Sequence, residues 1–427
     1  MSTNTKVCII GAGAAGLCAA RHLAQSSFQP VVYEQTNNIG GTWIYSETIG
    51  QDPKTGLPIH SSMYKSLRTN LPKEVMAFPD YPFPSNLPSF LHHTEISSYL
   101  KSYAEDFGVN DYIHLNNTVK SVVPCQDDPN NPWKVTVENV KSGETVTSLF
   151  KAIMICNGHY SVPSIPEMSG MESFTGEIMH SHDYRMPNRF KDKRVAVLGA
   201  AASGTDIGME IASEAKHVFL CHNNPVLPSK LPDNFDQKKG ITEIIGPKDL
   251  KLTDGSILED IDVLLFCTGY HYSFPFLDEV CRPKVENRMV WPLYKHFVHI
   301  DYPSMCFIGI PIQICPFPQF DLQVQFFVKA LTGERPLPSP EAMLEDTRRE
   351  LSSKLDRDIP MRHFHKMGNS QWDYNRSLCK LANLTPIPLK VENLYNAVHE
   401  RRRHHLTTYK KDIYRLSENA KVYERIA

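Results

Sequence analysis

Three glycines near the start of the chain have the spacing of a dinucleotide phosphate loop. Gly11, Gly13 and Gly16 form a G-x-G-x-x-G pattern between an apolar run at 7–10 and an Ala/Leu-rich segment with helical character. The first glycine permits the tight strand-to-helix turn, the second leaves room for a pyrophosphate, and the third lets the helix pack on the strand. The free helix amides and the helix dipole then favour phosphate binding. We expect these residues to bind a dinucleotide: Gly11, Ala12, Gly13, Ala14, Ala15 and Gly16.

An acidic residue follows this loop at the distance that the motif requires. A second apolar run, 31–33, ends at Glu34, which lies 18 residues after Gly16. A carboxylate at the tip of the second strand accepts hydrogen bonds from ribose hydroxyls. We therefore expect Glu34 and its neighbour Gln35 to contact the cofactor. An ordinary strand–helix turn is the alternative, and the flanking strand, helix and acid together argue against it.

Residues 194–206 repeat the pattern in a weaker form. An apolar strand leads into Gly199-Ala200-Ala201-Ala202-Ser203-Gly204, where Ala201 replaces the middle glycine and Gly204 keeps the helix-packing position. Alanine is the smallest alternative to glycine, so a phosphate loop is still expected. The predicted contacts of this second site are Gly199, Ala201, Ser203, Gly204, Thr205 and Asp206.

The strand after the second loop ends without an acid. Residues 217–221 lead into His222, Asn223 and Asn224. A carboxylate there would repel a ribose 2′-phosphate, whereas neutral or basic groups tolerate one. The sequence therefore favours NADPH over NADH and places His222 near the cofactor. Further apolar strands close on Gly158 and Gly269, which suggests two related nucleotide-binding units, one set into the other.

Composition excludes several other classes of protein. A chain of 427 residues predicts two or more domains. With 45 basic and 47 acidic side chains the net charge is −2, so no general attraction to nucleic acid or membrane is implied. No apolar stretch suits a membrane anchor, and the first residues lack a signal core. Ten scattered cysteines without a CxxC pair favour a reducing, cytoplasmic setting and give no metal-binding pattern.

The last third of the chain is predicted to be mainly helical. Residues 320–331 have helical character, with Gln323 in the first turn. The basic cluster at 400–405 could bind an anion, but we favour a solvated helix face.

A linking segment between the two loops carries a family resemblance. Residues 174–184 fit F-x-G-x-x-x-H-x-x-x-Y, which resembles the fingerprint of the flavin-containing monooxygenases. Further matches are Gly40-Gly41-Thr42-Trp43, Thr69-Asn70, the segment 78–83 and the segment 266–270. Related Baeyer–Villiger enzymes usually carry Trp where this chain has Tyr184, which argues against that group. The disulfide-reductase branch needs a cysteine pair after the Gly-Gly turn, where this chain has Trp43, which argues against that branch too.

The resemblance implies an α/β fold with two Rossmann-like dinucleotide-binding domains, the NADPH domain inserted into the FAD domain. The first loop would bind FAD and the second NADPH. The expected divisions are 1–170 for the first part of the FAD domain, 171–292 for the NADPH domain, and 293–427 for the second part of the FAD domain with C-terminal helices.

The resemblance also implies a reaction. NADPH reduces FAD, the reduced flavin and O₂ form a C4a-hydroperoxide, and an amine nitrogen or sulfide sulfur takes one oxygen. Asn70 would be the main active-site side chain, because an amide offers donors and an acceptor without a charge. Thr69 and Leu71 flank it, Gly41, Thr42 and Trp43 would lie by the flavin, and Gln323 near its ring. His180 and Tyr184 are expected to hold the interdomain linker.

The substrate is less defined than the cofactors. The chain is similar to shorter members known from insects and microbes, some of which N-oxidise pyrrolizidine alkaloids. Expected partners are O₂ and a small amine, alkaloid or sulfide, with a homo-oligomer left open. The alternatives are a Baeyer–Villiger enzyme acting on ketones and a non-catalytic flavoprotein that senses redox state.

Overall fold

Two mainly parallel sheets organise the chain in the computed structural model, which describes residues 5–125, 130, 132–417 and 423–426. The helices in chain order are Ala14–Ala24 (α1), Lys73–Met76 (α2), His93–Asp106 (α3), Ala202–Ile211 (α4), Pro316–Leu331 (α5), Pro340–Leu355 (α6), Gln371–Ala382 (α7) and Leu389–His404 (α8). None of the helices in these residues is long and apolar enough to cross a membrane.

The strands of the first half are short and mostly apolar. They are Thr5–Ile10 (β1), Phe28–Glu34 (β2), Ile113–Leu115 (β3), Asn117–Pro124 (β4), Trp133–Asn139 (β5), Thr145–Phe150 (β6), Ala152–Ile155 (β7), Val162–Pro163 (β8), Glu177–His180 (β9), Arg194–Leu198 (β10), His217–Cys221 (β11) and Phe235–Lys238 (β12).

The remaining strands complete the two main sheets and several small ones. They are Ile241–Ile244 (β13), Leu250–Leu252 (β14), Ile257–Leu258 (β15), Val263–Phe266 (β16), Tyr270–His271 (β17), Lys284–Glu286 (β18), Met289–Trp291 (β19), Leu293–Tyr294 (β20), Val298–His299 (β21), Met305–Phe307 (β22), Tyr414–Leu416 (β23) and Tyr423–Arg425 (β24).

The first sheet draws strands from both ends of the chain. Its order is β20-β21-β22-β7-β1-β2-β3, and β1 pairs in parallel with β2 and β7. Alternate β1 side chains enter two different cores: Val7 and Ile9 pack on one face, and Cys8 and Ile10 on the other. A strand buried on both faces is required in a parallel sheet that is covered on both sides, here by helices on the side of Val7 and Ile9 and by β4, β5 and β6 on the side of Cys8 and Ile10. This explains why residues 7–10 form an unbroken apolar run.

The second sheet comes from the middle of the chain. Its order is β12-β11-β10-β16-β9, all in parallel. The predicted α/β class with two dinucleotide-binding units is confirmed. The proposed divisions at 170/171 and 292/293 lie outside the strands of this second sheet, which span residues 177–266.

The expected start of the helix that carries Gln323 is wrong. Helix α5 begins at Pro316, four residues earlier than predicted, so Gln323 lies two turns inside it. A proline suits the first helical position, because its fixed φ matches the helix and its missing N–H would have no partner there.

The last turn of α8 and the chain that follows it contact both dinucleotide-binding units. We call residues 401–417 the C-terminal arm. The Leu406 N–H donates to the Ser229 hydroxyl over 2.9 Å, beside the second sheet. The Tyr414 N–H donates to the Ser89 hydroxyl over 2.8 Å, beside the first. The C-terminal arm therefore bridges the two dinucleotide-binding units.

Candidate active site

In the first glycine loop, packing requires glycine at two of the three motif positions but not at the third. Gly11 has φ +101°, and a Cβ there would lie 2.6 Å from the Cys156 carbonyl oxygen. A Cβ on Gly16 would lie 1.9 Å from the Gly11 carbonyl oxygen. A Cβ on Gly13 would meet only Gly41 Cα, at an ordinary 3.5 Å. Gly11 and Gly16 are therefore required by packing, whereas Gly13 leaves space for a ligand.

Helix α1 presents its amides at this space. Gly13 is its N-cap and provides no side-chain cap. The Leu17 N–H already donates to the Gly13 carbonyl over 3.0 Å. The N–H groups of the first turn, Ala14 to Gly16, have no intrahelical acceptor. The geometry fits a dinucleotide pyrophosphate, as the sequence predicted.

Glu34 holds the loop and faces the same region. It is buried at the end of β2, and its Oε2 accepts from the Ala12 N–H over 2.9 Å. Its Oε1 accepts from the N–H and the hydroxyl of Thr36, both at 2.8 Å. A carboxylate has about four acceptor positions, so capacity remains for ribose hydroxyls. Gln35 is half-buried beside it.

The turn at 40–43 closes over the first loop. The Gly40 N–H donates to the Ala12 carbonyl over 2.9 Å, and a Cβ on Gly41 would lie 3.0 Å from Gly13 Cα. Thr42 is held through its carbonyl, which accepts from the Ser61 hydroxyl over 2.8 Å. The Trp43 ring packs edge-on against Phe317 at 6.5 Å. The turn is thus rigidly placed against the space beside Gly13.

The second loop repeats the geometry of the first. Gly199 has φ +112°, and its Cβ would lie 2.6 Å from the Cys267 carbonyl oxygen. A Cβ on Gly204 would lie 1.7 Å from the Gly199 carbonyl oxygen. Ala201 is the N-cap of α4 and is exposed, with Ser203 half-buried in the first turn. The alanine therefore stands where the fold tolerates a side chain.

The C-terminal arm supplies two cations to the start of α4. Lys410 Nζ lies 2.8 Å from Asp206 Oδ2, and Arg402 lies 3.8 Å from the other oxygen of the same carboxylate. Arg402 also donates to the Thr205 hydroxyl over 2.9 Å. Burial lowers the pKa of Lys410, and the Asp206 carboxylate opposes that shift. The predicted solvated face at 400–405 is wrong for Arg402, whose contacts lie at the second glycine loop.

Asn70 is connected to the second loop through the C-terminal arm. The Thr69 N–H donates to the Leu91 carbonyl over 2.8 Å, and the Thr69 hydroxyl accepts from the Leu91 N–H over 3.0 Å. Asn70 Oδ1 accepts a hydrogen bond from the Tyr409 hydroxyl over 3.0 Å. Leu71, the next residue, packs against the main core. The acceptor end of the Asn70 amide is thereby occupied, and its two N–H donors face away from Tyr409.

Two sets of hydrogen bonds link the segment before Asn70 to helix α4. Besides Asp206, Lys410 Nζ donates to the Arg68 carbonyl over 3.0 Å. The Ser66 hydroxyl also donates to the Glu210 carboxylate on helix α4, so the segment before Asn70 is linked to that helix at two points. These contacts bring Asn70 and the start of helix α4 into one region.

Two other predicted cofactor contacts have their polar atoms engaged within the protein. His222 is buried, with its ring nitrogens 3.2 Å from the Asn224 carbonyl and 3.3 Å from Gln237 Oε1. Gln323 is fully buried, accepts from the Gly309 N–H over 3.0 Å and donates to the Tyr374 hydroxyl over 2.8 Å. Their contacts with a cofactor remain predictions.

The segment 174–184 has a structural role. A Cβ on Gly176 would lie 2.7 Å from the Asp262 carbonyl oxygen. His180 Nδ1 accepts from the His182 N–H over 3.0 Å, so Nε2 carries the proton and donates to the Gly269 carbonyl over 3.0 Å. Burial lowers the pKa of His180 to about 4. Tyr184 is fully buried, with its ring edge-on to Tyr64 at 5.4 Å.

Sequence reasoning missed three residues of this region. Tyr409, Lys410 and Arg402 lie more than 190 positions from their partners in sequence. Only the basic cluster at 400–405 signalled a charged element. No local spacing connects it with Asp206 or Asn70.

Comparisons with known proteins agree with this geometry. The model of the flavin-binding monooxygenase-like family matches residues 4–227 and 227–388. The chain is 34% identical to flavin-containing monooxygenase FMO GS-OX-like 4 of Arabidopsis thaliana, covering 95% of this chain and 93% of that protein. It is 36% identical to FMO GS-OX5 of the same plant, covering 87% and 83%.

Solved structures show the same relationship. S-allyl-L-cysteine S-oxygenase from Allium sativum superposes with a TM-score of 0.89 at 35% identity, covering 96% of this chain and 95% of that one. Tmm from Pelagibacter sp. has a TM-score of 0.83 at 29% identity, covering 95% of this chain and 93% of that one. Cyclohexanone monooxygenase has a TM-score of 0.62 at 16% identity, covering 89% of this chain and 98% of that one, which is a likeness of fold alone. Family model and relatives together show that the chain belongs to the flavin-containing monooxygenases, enzymes that use FAD and NADPH.

Proposed function

We propose that this enzyme transfers one oxygen atom from O₂ to the sulfur of a small thioether, at the expense of NADPH. The observation that supports this most directly is the placement of Asn70. Its amide is oriented by Tyr409, and the next residue, Lys410, bonds Asp206 at the second glycine loop. The likeness to an S-oxygenase of S-allyl-L-cysteine favours sulfur as the first nucleophile to test.

The overall reaction balances without an acid–base pair from the protein. NADPH, a proton, O₂ and a thioether give NADP⁺, water and a sulfoxide. Bound FAD and NADPH supply the reducing equivalents and the place of O₂ activation, which no side chain provides. The thioether lone pair forms the new S–O bond, and the second oxygen atom leaves as water. The protein's part is to bind, orient and exclude bulk water.

Each loop has a separate role in that reaction. The first loop and Glu34 would hold FAD through its pyrophosphate and ribose. The second loop would hold NADPH, with the amides of α4 at the pyrophosphate. Arg402 and Lys410 keep the Asp206 carboxylate neutralised beside these phosphates. Without that neutralisation the carboxylate would repel the anionic cofactor.

Asn70 is the residue that we expect to contact the reacting oxygen and the nicotinamide. Because Oδ1 accepts from Tyr409, the amide offers two N–H donors to the cofactor region. Neutral donors can stabilise an oxygen atom that carries partial negative charge. A carboxylate in the same place can only accept and would repel that oxygen.

A tertiary amine nitrogen is the second candidate nucleophile. It is soft and carries a lone pair as a thioether does, and no described residue distinguishes the two. The alkaloid N-oxidation expected from the sequence would be a reaction of this second class of nucleophile. Ketone oxidation has less support, because cyclohexanone monooxygenase is similar in fold alone and Tyr184 is packed inside the core. The non-catalytic alternative is contradicted by membership of an enzyme family.

The setting of the enzyme also belongs to the proposal. All ten cysteines are free thiols, which favours a reducing compartment such as the cytoplasm. Self-association stays open and is settled by the mass of the purified holoenzyme in solution.

The test uses the purified FAD-bound enzyme with NADPH and labelled O₂. We expect a labelled sulfoxide from S-allyl-L-cysteine, with one NADPH consumed per product. Asn70→Asp should keep FAD and lower product formation at least tenfold. Asn110→Asp, which adds the same charge at an exposed site, should match the wild type. Ester formation from a ketone, or product from neither thioether nor tertiary amine, would overturn the proposal.

A further inference from the structure

Three potential metal ligands meet between α1 and α5. Cys18 and His22 lie one turn apart on the same face of α1, and Asp321 lies on α5. His22 Nε2 is 2.7 Å from Asp321 Oδ1, and Cys18 Sγ is 3.8 Å from the same oxygen. The three ligand atoms all lie within 4.8 Å of one another. This cluster is separate from Asn70 and from the contacts of both glycine loops described above.

The carboxylate is oriented by a neighbour on its own helix. Gln325 Nε2 donates to Asp321 Oδ2 over 2.6 Å, which leaves Oδ1 directed at Cys18 and His22. Outer hydrogen bonds of this kind fix the ligands of metal sites. Asp321 is 4% exposed and Cys18 is fully buried.

The cluster has an access route. His22 and Gln325 line an open cleft of about 620 Å³, together with residues at the ends of α1 and α5. The His22 side chain is 16% exposed, so it connects the buried pair with the cleft. Of the three ligands His22 is the one that borders the cleft, so an ion would enter the cluster from its side.

Nearby cations are engaged with other acids. Arg21 Nη1 donates to Asp80 Oδ1 over 2.8 Å, and the guanidinium lies 3.6 Å above the Phe107 ring. Lys329, which lines the cleft, pairs with Glu334 over 2.8 Å. A thiolate and a carboxylate with a neutral imidazole carry two negative charges, which a divalent cation balances.

We propose that Cys18, His22 and Asp321 form a zinc site, with a fourth position open to the cleft. Sulfur, imidazole and carboxylate together suit Zn²⁺, whereas Ca²⁺ and Mg²⁺ prefer oxygen ligands alone. Tetrahedral zinc with bonds of about 2.0–2.3 Å places N and O ligand atoms about 3.3 Å apart and S and O about 3.6 Å apart. The sulfur–oxygen distance of 3.8 Å is already close, and His22 must withdraw by roughly half an ångström from its present 2.7 Å.

Bound zinc would join α1 to α5. Helix α1 begins at the first glycine loop, and α5 packs against it. An ion that binds only the folded chain stabilises it by mass action. The site therefore predicts a metal-dependent rise in melting temperature that requires no turnover, so the test is independent of the proposed function.

The test is a Co²⁺ titration of the chelator-treated holoenzyme, followed by Zn²⁺ competition. Tetrahedral cobalt bound to thiolate gives visible bands on the long-wavelength side of flavin absorption. We expect one Co²⁺ per chain, displaced by Zn²⁺, and a higher melting temperature with either ion. His22→Gln and Asp321→Asn should each weaken binding at least tenfold, as should Cys18→Ser.

The controls separate this site from surface histidines and from loss of folding. Cys379→Ser removes a buried thiol elsewhere, and His404→Gln breaks the exposed pair with Glu400; both should bind as the wild type does. If Cys18→Ser does not fold, His22→Gln still tests metal binding, because the His22 side chain is partly exposed and its replacement leaves the core intact. The proposal is overturned if no cobalt bands appear, or if they survive in His22→Gln and Asp321→Asn.

Discussion

The phenol hydroxyl of Tyr409 donates a hydrogen bond over 3.0 Å to Oδ1 of Asn70, across 339 positions of sequence. Tyr409 is almost fully buried, and its ring lies edge-on to Phe90 at 5.3 Å. The hydroxyl therefore has a fixed position, and we infer that it determines which end of the Asn70 amide would face the cofactors. Under the proposed function Tyr409 is a positioning residue, because it contacts Asn70.

Removing this hydroxyl should uncouple NADPH oxidation from product formation. In Tyr409→Phe the amide loses a hydrogen bond of about 1 kcal/mol, which corresponds to about a fivefold change in the population of the productive orientation. FAD content and NADPH consumption should remain near wild type. Hydrogen peroxide released per NADPH should rise, and sulfoxide per NADPH should fall. Both ratios are measured in one steady-state assay.

A second tyrosine of the C-terminal arm is the matched control. Tyr414 is also buried and packs near Phe90, at 6.3 Å, but its hydroxyl bonds Asp412 over 3.2 Å. Tyr414→Phe should keep the wild-type ratio of product to NADPH. Equal uncoupling in both variants would show that the arm acts through packing and not through Asn70.

The ammonium of Lys410 should contribute both to stability and to NADPH binding. In Lys410→Met the Asp206 side chain, which is 9% exposed, keeps Arg402 at 3.8 Å as its one cationic partner among the described residues. We expect a loss of about 2 kcal/mol in the free energy of unfolding and a higher KM for NADPH. The double variant Lys410→Met, Asp206→Asn should regain part of the lost stability. Strictly additive losses in urea denaturation would refute the coupling of the two residues.

Gly13 and Gly16 should fail in different ways when they are substituted. The backbone at Gly13 is extended at φ −77°, and a Cβ there makes only an ordinary contact. Gly13→Val should therefore fold but lose FAD, because its branched carbons fill the pyrophosphate space. Gly16→Ala drives a Cβ to 1.9 Å from the Gly11 carbonyl oxygen and should unfold the domain. Flavin absorbance and circular dichroism distinguish the outcomes. A Gly13→Val protein that keeps its full content of FAD would show that FAD does not bind at this loop.

The sequence sufficed for those parts of the site that are local. The glycine loops and Glu34 were predictable, because the turn, the close approach and the strand tip all lie within one strand–helix–strand unit. Periodicity alone does not mark the start of α5, because Pro316 and Pro318 would break a helix interior and yet suit its first turn.

The long-range contacts could not be predicted from one sequence. Arg402 belongs to a charged helix segment whose pattern fits solvent exposure, and only the fold brings it to Thr205. Cys18 and His22 have a visible one-turn spacing, but Asp321 lies about 300 positions away. Such residues meet through tertiary packing, which local periodicity does not encode.

Coenzyme preference should respond to charge after β11. Asn224 is exposed beside His222, where the sequence places the ribose 2′-phosphate. Asn224→Asp is nearly isosteric and adds a negative charge, so it should lower kcat/KM for NADPH several-fold and leave that for NADH unchanged. The exposed Asn188→Asp is the control for added charge. Equal loss with both coenzymes, or no loss, would place the 2′-phosphate elsewhere.

Acid should destabilise the enzyme through histidines that are buried in the neutral form. Burial lowers the pKa of His299 to about 4, against an ordinary value of 6.5. Between these values the unfolded chain binds a proton that the folded chain does not, so the free energy of unfolding falls as the pH falls from about 6.5 to about 4. Each such group contributes up to about 1.4 kcal/mol per pH unit.

His299 Nδ1 accepts from the N–H groups of Asp301 and Tyr302 at 3.2 and 3.3 Å, and an asparagine oxygen can replace this acceptor. His299→Asn should therefore fold and show a shallower loss of stability in that window, measured by urea denaturation at pH 7 and pH 5. An unchanged slope would mean that His299 is charged in the folded enzyme.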